Sequence, residues 1–154
     1  MPGTVEGIFI AASATEPPRS VESAEAVTGQ GLRGDRYFRE DGGGTFFATD
    51  KEGQDLTLIE AGALELLATD AGIPLEPADA RRNVLVRGMG LNELVGKTFT
   101  VGEAECIGRR LCDPCDHLQK LTQPGVLHGL VDRGGLRADI LRGGRIAVGD
   151  AVRA

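Results

Sequence analysis

Aromatic side chains make up only 4% of the 154 residues, so the core has few large anchors and must be assembled from smaller side chains in short segments. No apolar run approaches the ~20 residues a membrane span requires. The best candidates, Ile8-Phe9-Ile10-Ala11-Ala12 and the stretch from Leu64 to Ala68, stop well short, so no membrane partner is expected. The N-terminus, Met1 to Glu6, lacks a basic n-region. No signal peptide is therefore indicated, and the cytoplasm is the expected compartment. Cysteine is scarce, and three residues without an export signal argue against a disulfide framework. A nucleotide cradle is also missing: Gly42-Gly43-Gly44 leads into Thr45-Phe46-Phe47, where a phosphate loop needs Gly-Lys-Ser/Thr opening a helix. Net positive charge is absent too. The balance of −6 opposes binding to a phosphate backbone and disfavours nucleic acid as a partner.

What is present in excess is glycine, 23 residues, about twice the usual ~7%. A chain rich in turns favours many short strands over a helical bundle. With 41% hydrophobic and 26% charged residues, the length fits one soluble domain across 1–154. The charge is uneven: residues 1–77 hold 5 Lys/Arg against 14 Asp/Glu, and residues 78–154 hold 12 against 9. An anion is expected to dock on the second half.

Val5 to Ala12 reads as an opening strand that breaks at Glu16-Pro17-Pro18, and Val21 to Val27 as a further extended stretch. Glycines from Gly29 to Gly34 form a turn ahead of Asp35-Arg36-Tyr37-Phe38, and residues 39–55 read as a long connection, mobile or lid-like. Leu56 to Ile59 is strand-like. Glu60 to Ala71 carries Ala63, Leu64, Leu67 and Ala71 at helical spacing, with a stop at Gly72-Ile73-Pro74 and Glu60 placed in the first turn, where it complements the helix dipole. Asn83 to Arg87 is a short strand, and Leu91 to Val95 one helical turn. Lys97 to Val101 and Glu103 to Arg109 are strands reversed tightly at Gly102. Leu136 to Leu141 and Arg145 to Val152 flank Gly143-Gly144, a two-residue hairpin signal. The fold expected from this pattern is mainly β within an α+β class. It is a barrel or strongly bent sheet with one longer helix and short peripheral ones.

The sharpest chemical feature is Arg109-Arg110-Leu111-Cys112-Asp113-Pro114-Cys115-Asp116-His117-Leu118. Asp113 suits an N-cap and Pro114 a first helical position. Cys115 then falls in the first turn, where backbone N–H groups, with Arg109 or Arg110 nearby, favour a thiolate, while Asp113 and Asp116 oppose it. Four readings stand side by side. They are a pair of structural buried thiols, a thioredoxin-like dithiol, a zinc set of Cys112, Cys115, His117 and His128, and a functional thiolate acting as nucleophile, sulfur carrier or soft-metal ligand. Cys106, inside a strand beside Ala104 and Ile107, reads as a small core residue.

Arg81-Arg82-Asn83 precedes a buried-looking strand. An arginine fork matches phosphate bidentately and Asn supplies a donor and an acceptor, so a phosphorylated ligand fits there; surface pairing with Asp79 or Glu76 is the plain alternative. Arg133-Gly134-Gly135-Leu136-Arg137 adds an arginine beside flexible backbone, able to close over the same ligand.

Several fragments, in order along nearly the whole chain, resemble the MOSC domain family, named for the carboxyl-terminal domain of molybdenum cofactor sulfurase. They are Gly31-Leu32-Arg33-Gly34-Asp35-Arg36, Leu56-Thr57-Leu58-Ile59-Glu60, Arg81-Arg82-Asn83-Val84 and Leu91-Asn92-Glu93-Leu94-Val95-Gly96. The Arg110 to Cys115 turn, Gly134 to Ala138 and Gly149-Asp150 complete the series. The resemblance implies a β-barrel and a cysteine that carries sulfur or ligates molybdenum in a pterin cofactor. Cys115 matches that cysteine, with Cys112 beside it in the turn. Arg82 and Asn83 match the residues near the phosphate and pterin, with Arg137 and Arg36 as further cofactor contacts. The implied chemistry is reduction of N-hydroxylated compounds or sulfur transfer on a small-molecule substrate, served by a sulfur-donor or reductase protein. The alternative is a persulfide carrier without catalysis of its own. No aminotransferase-like domain is present, so no pyridoxal phosphate is expected in this chain.

Overall fold

The computed structural model describes residues 2–11, 18–35, 55–70, 82–111 and 135–154. Eleven strands are present among them: β1 Gly3–Ile10, β2 Arg19–Val21, β3 Ser23–Val27, β4 Gly31–Leu32, β5 Leu56–Glu60 and β6 Val84–Arg87, then β7 Thr98–Val101, β8 Ala104–Leu111, β9 Leu136–Arg142, β10 Gly144–Ala147 and β11 Ala151–Arg153. One α-helix, α1 Ala61–Asp70, follows β5, and a 3₁₀ turn spans Leu91–Leu94.

The large sheet runs β11-β7-β8-β9-β5-β6-β1, and β1 pairs back onto β11, which closes seven strands into a barrel; β2 extends it beyond β1. Closure removes the exposed edges that an open sheet of this size would present. The mainly β barrel expected from the sequence is what forms. Most neighbours are antiparallel, but β5 and β6 run parallel, Leu58 beside Val84 and Ile59 beside Leu85. Such a pair needs a crossover, which here includes α1. A second sheet, β10-β3-β4, packs against the ring and adds Ala26, Leu32 and Ile146 to the same core.

Alternation decides which side chains enter the barrel. In β9, Leu136, Ala138 and Ile140 are buried in the core, and Arg137 and Asp139 between them face outward. Leu56 and Leu58 of β5, Val84 and Val86 of β6, and Val5, Ile8 and Ile10 of β1 fill the same interior. Cys106 is fully buried among them, so the sequence reading of it as a core residue holds. Ile59 and Leu85 are buried without belonging to that cluster. Helix α1 packs on β5 and β6 with Ala63 and Leu64 buried, which covers this outer apolar strip.

Two expectations are corrected. Glu60 is the last residue of β5, not part of the first helical turn, because the parallel ladder continues to a Glu60–Val86 pair. Its Oε2 accepts the Leu91 N–H at 3.4 Å. Gly143-Gly144 makes no hairpin: β9 stays in the barrel, while β10 pairs with β3 in the small sheet. A two-residue hairpin of the favoured type needs left-handed backbone at both positions, and neither glycine has positive φ. They are required for close approach instead. A Cβ on Gly143 would sit 2.5 Å from the Ala26 carbonyl oxygen, and one on Gly144 2.7 Å from Cβ of Glu103. The stretch read as Arg145 to Val152 is accordingly divided into β10 and β11.

Candidate functional site

Three of the residues singled out from the sequence, Arg82, Asn83 and Arg137, are described. Arg36, Cys112, Cys115, His117 and His128 lie outside the described residues, as do the 39–54 part of the long connection and Arg81. The zinc reading, the dithiol reading and the choice between Cys112 and Cys115 therefore rest on residues outside those described.

Asn83 and Arg137, far apart in sequence, lie in one line across the outer face of the barrel. Arg137 of β9 pairs with Thr57 of β5. Thr57 in turn meets Asn83, the residue before β6. The Asn83 Oδ1 accepts the Thr57 N–H and the Thr57 hydroxyl, both at 3.1 Å, and the Asn83 N–H donates to Thr57 Oγ1 at 2.9 Å. On the other side, Asn83 Nδ2 donates to the Phe9 carbonyl at 3.2 Å, and the Phe9 N–H donates to the Asn83 carbonyl at 2.7 Å. Asn83 thus joins β1, β5 and β6, and only one N–H of its carboxamide is left over from these bonds. Thr57 and Asn83 are 3% and 2% exposed, a buried polar spot whose groups are satisfied from within, as burial demands.

Arg82, one residue earlier, is buried to 8% exposure and holds a contact of its own. A guanidinium is seldom buried without such a partner. Arg137 is half-buried beside Thr57. The backbone that leads into it packs closely against β5. Gly135 has φ of +110°, and a Cβ there would collide with the Leu58 carbonyl oxygen. Of the segment that the sequence reads as flexible, Arg133 and Gly134 lie outside the described residues, and Gly135 packs closely against β5.

Sequence reasoning passed over Thr57 as a positioning group and did not separate Arg109 from Arg110. A register shift in β8 between Gly108 and Arg110 separates them: Gly108 pairs with Ala138 and Arg110 with Arg137, leaving Arg109 between. Arg109 Nε donates to Asp139 Oδ2 at 3.0 Å, whereas Arg110 faces Arg137. Nothing in the sequence signals a bulge at this point. The outer row is then Arg110, Arg137, Thr57, Asn83, passing from exposed to half-buried to buried.

Two other places among the described residues offer little to an anion. A groove beside α1 is lined by Glu60, Glu65, Leu66, Thr69 and Asn92, with no cationic side chain. Arg87, its guanidinium pushed further toward the charged form by hydrogen bonds to Glu6 and Glu65, is occupied by those two carboxylates at 2.7 and 2.6 Å. Desolvation, then the negative charges of Asp55, Glu105 and Asp139, pushes the Cys106 thiol up to about 12. It is a poor candidate for the reactive sulfur. Among the described residues no cluster of His, Cys, Asp and Glu suits a metal ion, and no helix is long and apolar enough to cross a membrane.

A family model described as the MOSC domain matches residues 24–153. No curated protein matches the chain. Among solved structures, the YUAD protein from Bacillus subtilis is similar over 99% of this chain and 94% of its own, with a TM-score of 0.79 at 20% identity. YiiM from Geobacillus stearothermophilus covers 99% of this chain with 74% of its own, at a TM-score of 0.72 and 12% identity. YiiM from Escherichia coli does so with 69% of its own, at 0.70 and 17%. At these identities the likeness establishes the fold.

Proposed function

Because the chain belongs to the MOSC domain family, we propose that it binds a molybdenum–pterin cofactor through the Cys115 thiolate and acts in reduction of N-hydroxylated compounds or in sulfur transfer. The observation that carries this reading is the outer row itself, which brings Arg137 to a buried Thr57–Asn83 pair next to Arg82. Arg137 stands beside this buried pair and Arg82 precedes Asn83 in the chain; guanidiniums are donor chemistry suited to a phosphorylated, anionic ligand, which supports the reading.

The cofactor supplies two-electron or sulfur chemistry at its metal when bound. The chain's own contribution is to hold it. Arg82 and Arg137 supply fixed cationic forks, with Arg36 as a further contact. Asn83 acts through the backbone it locks and the one N–H that its bonds to Thr57 and Phe9 leave over. Cys115 supplies the sulfur, with Cys112 beside it in sequence. A sulfur-donor or reductase protein completes the cycle.

The test is metal and pterin content of protein purified from a molybdenum-replete host, for wild type, Cys115→Ser and Cys112→Ser. Molybdenum and pterin in wild type and Cys112→Ser, lost in Cys115→Ser, support the reading. No metal or pterin in wild type, or equal retention in Cys115→Ser, overturns it. Intact mass after exposure to a sulfur donor separates the two chemistries: one added sulfur, dependent on Cys115, marks sulfur transfer.

A further inference from the structure

We infer that the groove beside α1 is a binding site for a linear aliphatic polyamine, with ammonium groups received by Glu60 and Glu65 and the methylene chain lying on Leu66. The groove measures about 570 Å³, within the range of small-molecule sites. It shares no lining residue with the outer row. Gly62, Glu65, Leu66 and Thr69, which all line it, recur at the spacing that places residues on one face of a helix. The site therefore runs along α1 and suits an extended ligand. Leu66 is 43% exposed there, an apolar surface that methylenes would remove from water.

The charge of the groove has one sign. Glu60 and Glu65 line it and no cationic side chain does. Among the described residues, half-buried Glu60 has only the long 3.4 Å bond from the Leu91 N–H to Oε2, which leaves its other oxygen open to a donor. Glu65 meets Arg87 through Oε1, and a carboxylate has acceptor capacity to spare. The partial positive charge at the start of α1, about half a unit, is smaller than the full charge of Glu60 beside it. Gly62 adds an independent sign. A Cβ there would meet nothing within 4 Å, and its φ is not positive. Neither packing nor backbone geometry calls for glycine at a position where alanine favours a helix more; its hydrogen keeps the groove open for a chain to lie against the helix backbone. A hydrated metal ion gains nothing from Leu66, whereas a polyamine uses both the carboxylates and the apolar wall. The inference stands without the cofactor reading, because no residue in it belongs to that site.

The experiment is calorimetric titration and thermal unfolding with spermidine at constant ionic strength, on wild type, Glu60→Gln, Gly62→Leu and Glu22→Gln. Glu22, exposed between β2 and β3, does not line the groove, so its variant loses the same charge elsewhere and is the control. Wild type binds spermidine and gains Tm. Glu60→Gln weakens binding about tenfold. Gly62→Leu fills the groove without removing charge, so it weakens binding at least as much while its Tm without amine is no lower than wild type. Glu22→Gln binds as wild type does. No binding in wild type, an equal loss in Glu22→Gln, or unchanged affinity in Gly62→Leu overturns the inference. So does an equal Tm gain from magnesium chloride at the same ionic strength, which would reduce the effect to neutralisation of an acidic surface.

Discussion

Thr57 and Asn83 hold each other through three hydrogen bonds, with the Thr57 hydroxyl both donating to the carboxamide oxygen and accepting the Asn83 N–H. This exchange fixes the start of β6 against β5 where the strands run parallel, and so sets where Arg82 emerges. Thr57→Val retains the shape and removes the hydroxyl, leaving the Asn83 N–H buried without its acceptor. Stability should fall by about 1–3 kcal/mol, while Thr57→Ser stays near wild type. Urea midpoints for the two variants check this, and equal midpoints would refute it.

Gly135 makes a backbone prediction. Alanine there must adopt φ near +110° and meet the Leu58 carbonyl, so Gly135→Ala should destabilise by about 3 kcal/mol or more. Gly149→Ala serves as a reference. It has φ of +97° but nothing within 4 Å of the added methyl, so it carries the backbone strain without the collision. The difference between their unfolding free energies isolates the collision with β5; a difference of zero would mean that β9 can move away freely.

The Cys106 thiol provides a pH signature. In the unfolded chain it ionises near 9.0, but folded it keeps its proton until about 12. Between those values the native state binds more protons than the unfolded one, so stability falls with rising pH. The slope is about 1.4 kcal/mol per pH unit at most, and below pH 9 the group adds no pH dependence. Cys106→Ala should flatten the alkaline limb of the stability profile while lowering its plateau through the lost packing. An unchanged alkaline slope in the variant would falsify the assignment.

Arg87 yields the opposite expectation. It binds Glu6 and Glu65 at short distance, yet its side chain is 51% exposed, and solvent-screened pairs contribute little. Arg87→Gln should leave the unfolding midpoint close to wild type, and any residual difference should vanish in 1 M salt. A large loss that persists in high salt would show that the triad of β1, β6 and α1 is structural after all.

How far the sequence carries can be traced residue by residue. The apolar β-branched pattern at Leu56 to Ile59, the helical spacing of Ala63 and Leu64, the single turn at Leu91 and the reversal at Gly102 are local signals, and each is realised locally. Glu60 was misplaced because a strand's end depends on its partner: the ladder to Val86 holds it one residue longer than propensity suggests. Gly143-Gly144 was misread because glycine demanded by positive φ and glycine demanded by neighbouring backbone look identical in a sequence. At the site, Asn83 and Arg137 were visible as residue types, but their meeting through Thr57 depends on strand order. The opposition of Arg110 to Arg137 depends on a bulge. Neither is encoded at short range.

The pairing of Gly3 with Val152 has a consequence for how the molecule acquires its shape. The ring cannot be completed during synthesis until β11 has left the ribosome, because β1 waits for it. Until then β1 has β6 along one side and β2 beside Ile8 to Ile10 on the other, but Gly3 and Thr4 lack their partner, and folding should be slow for a ring closed by so distant a contact. Nascent chains halted before residue 151 would be expected to engage chaperones through that unsatisfied border.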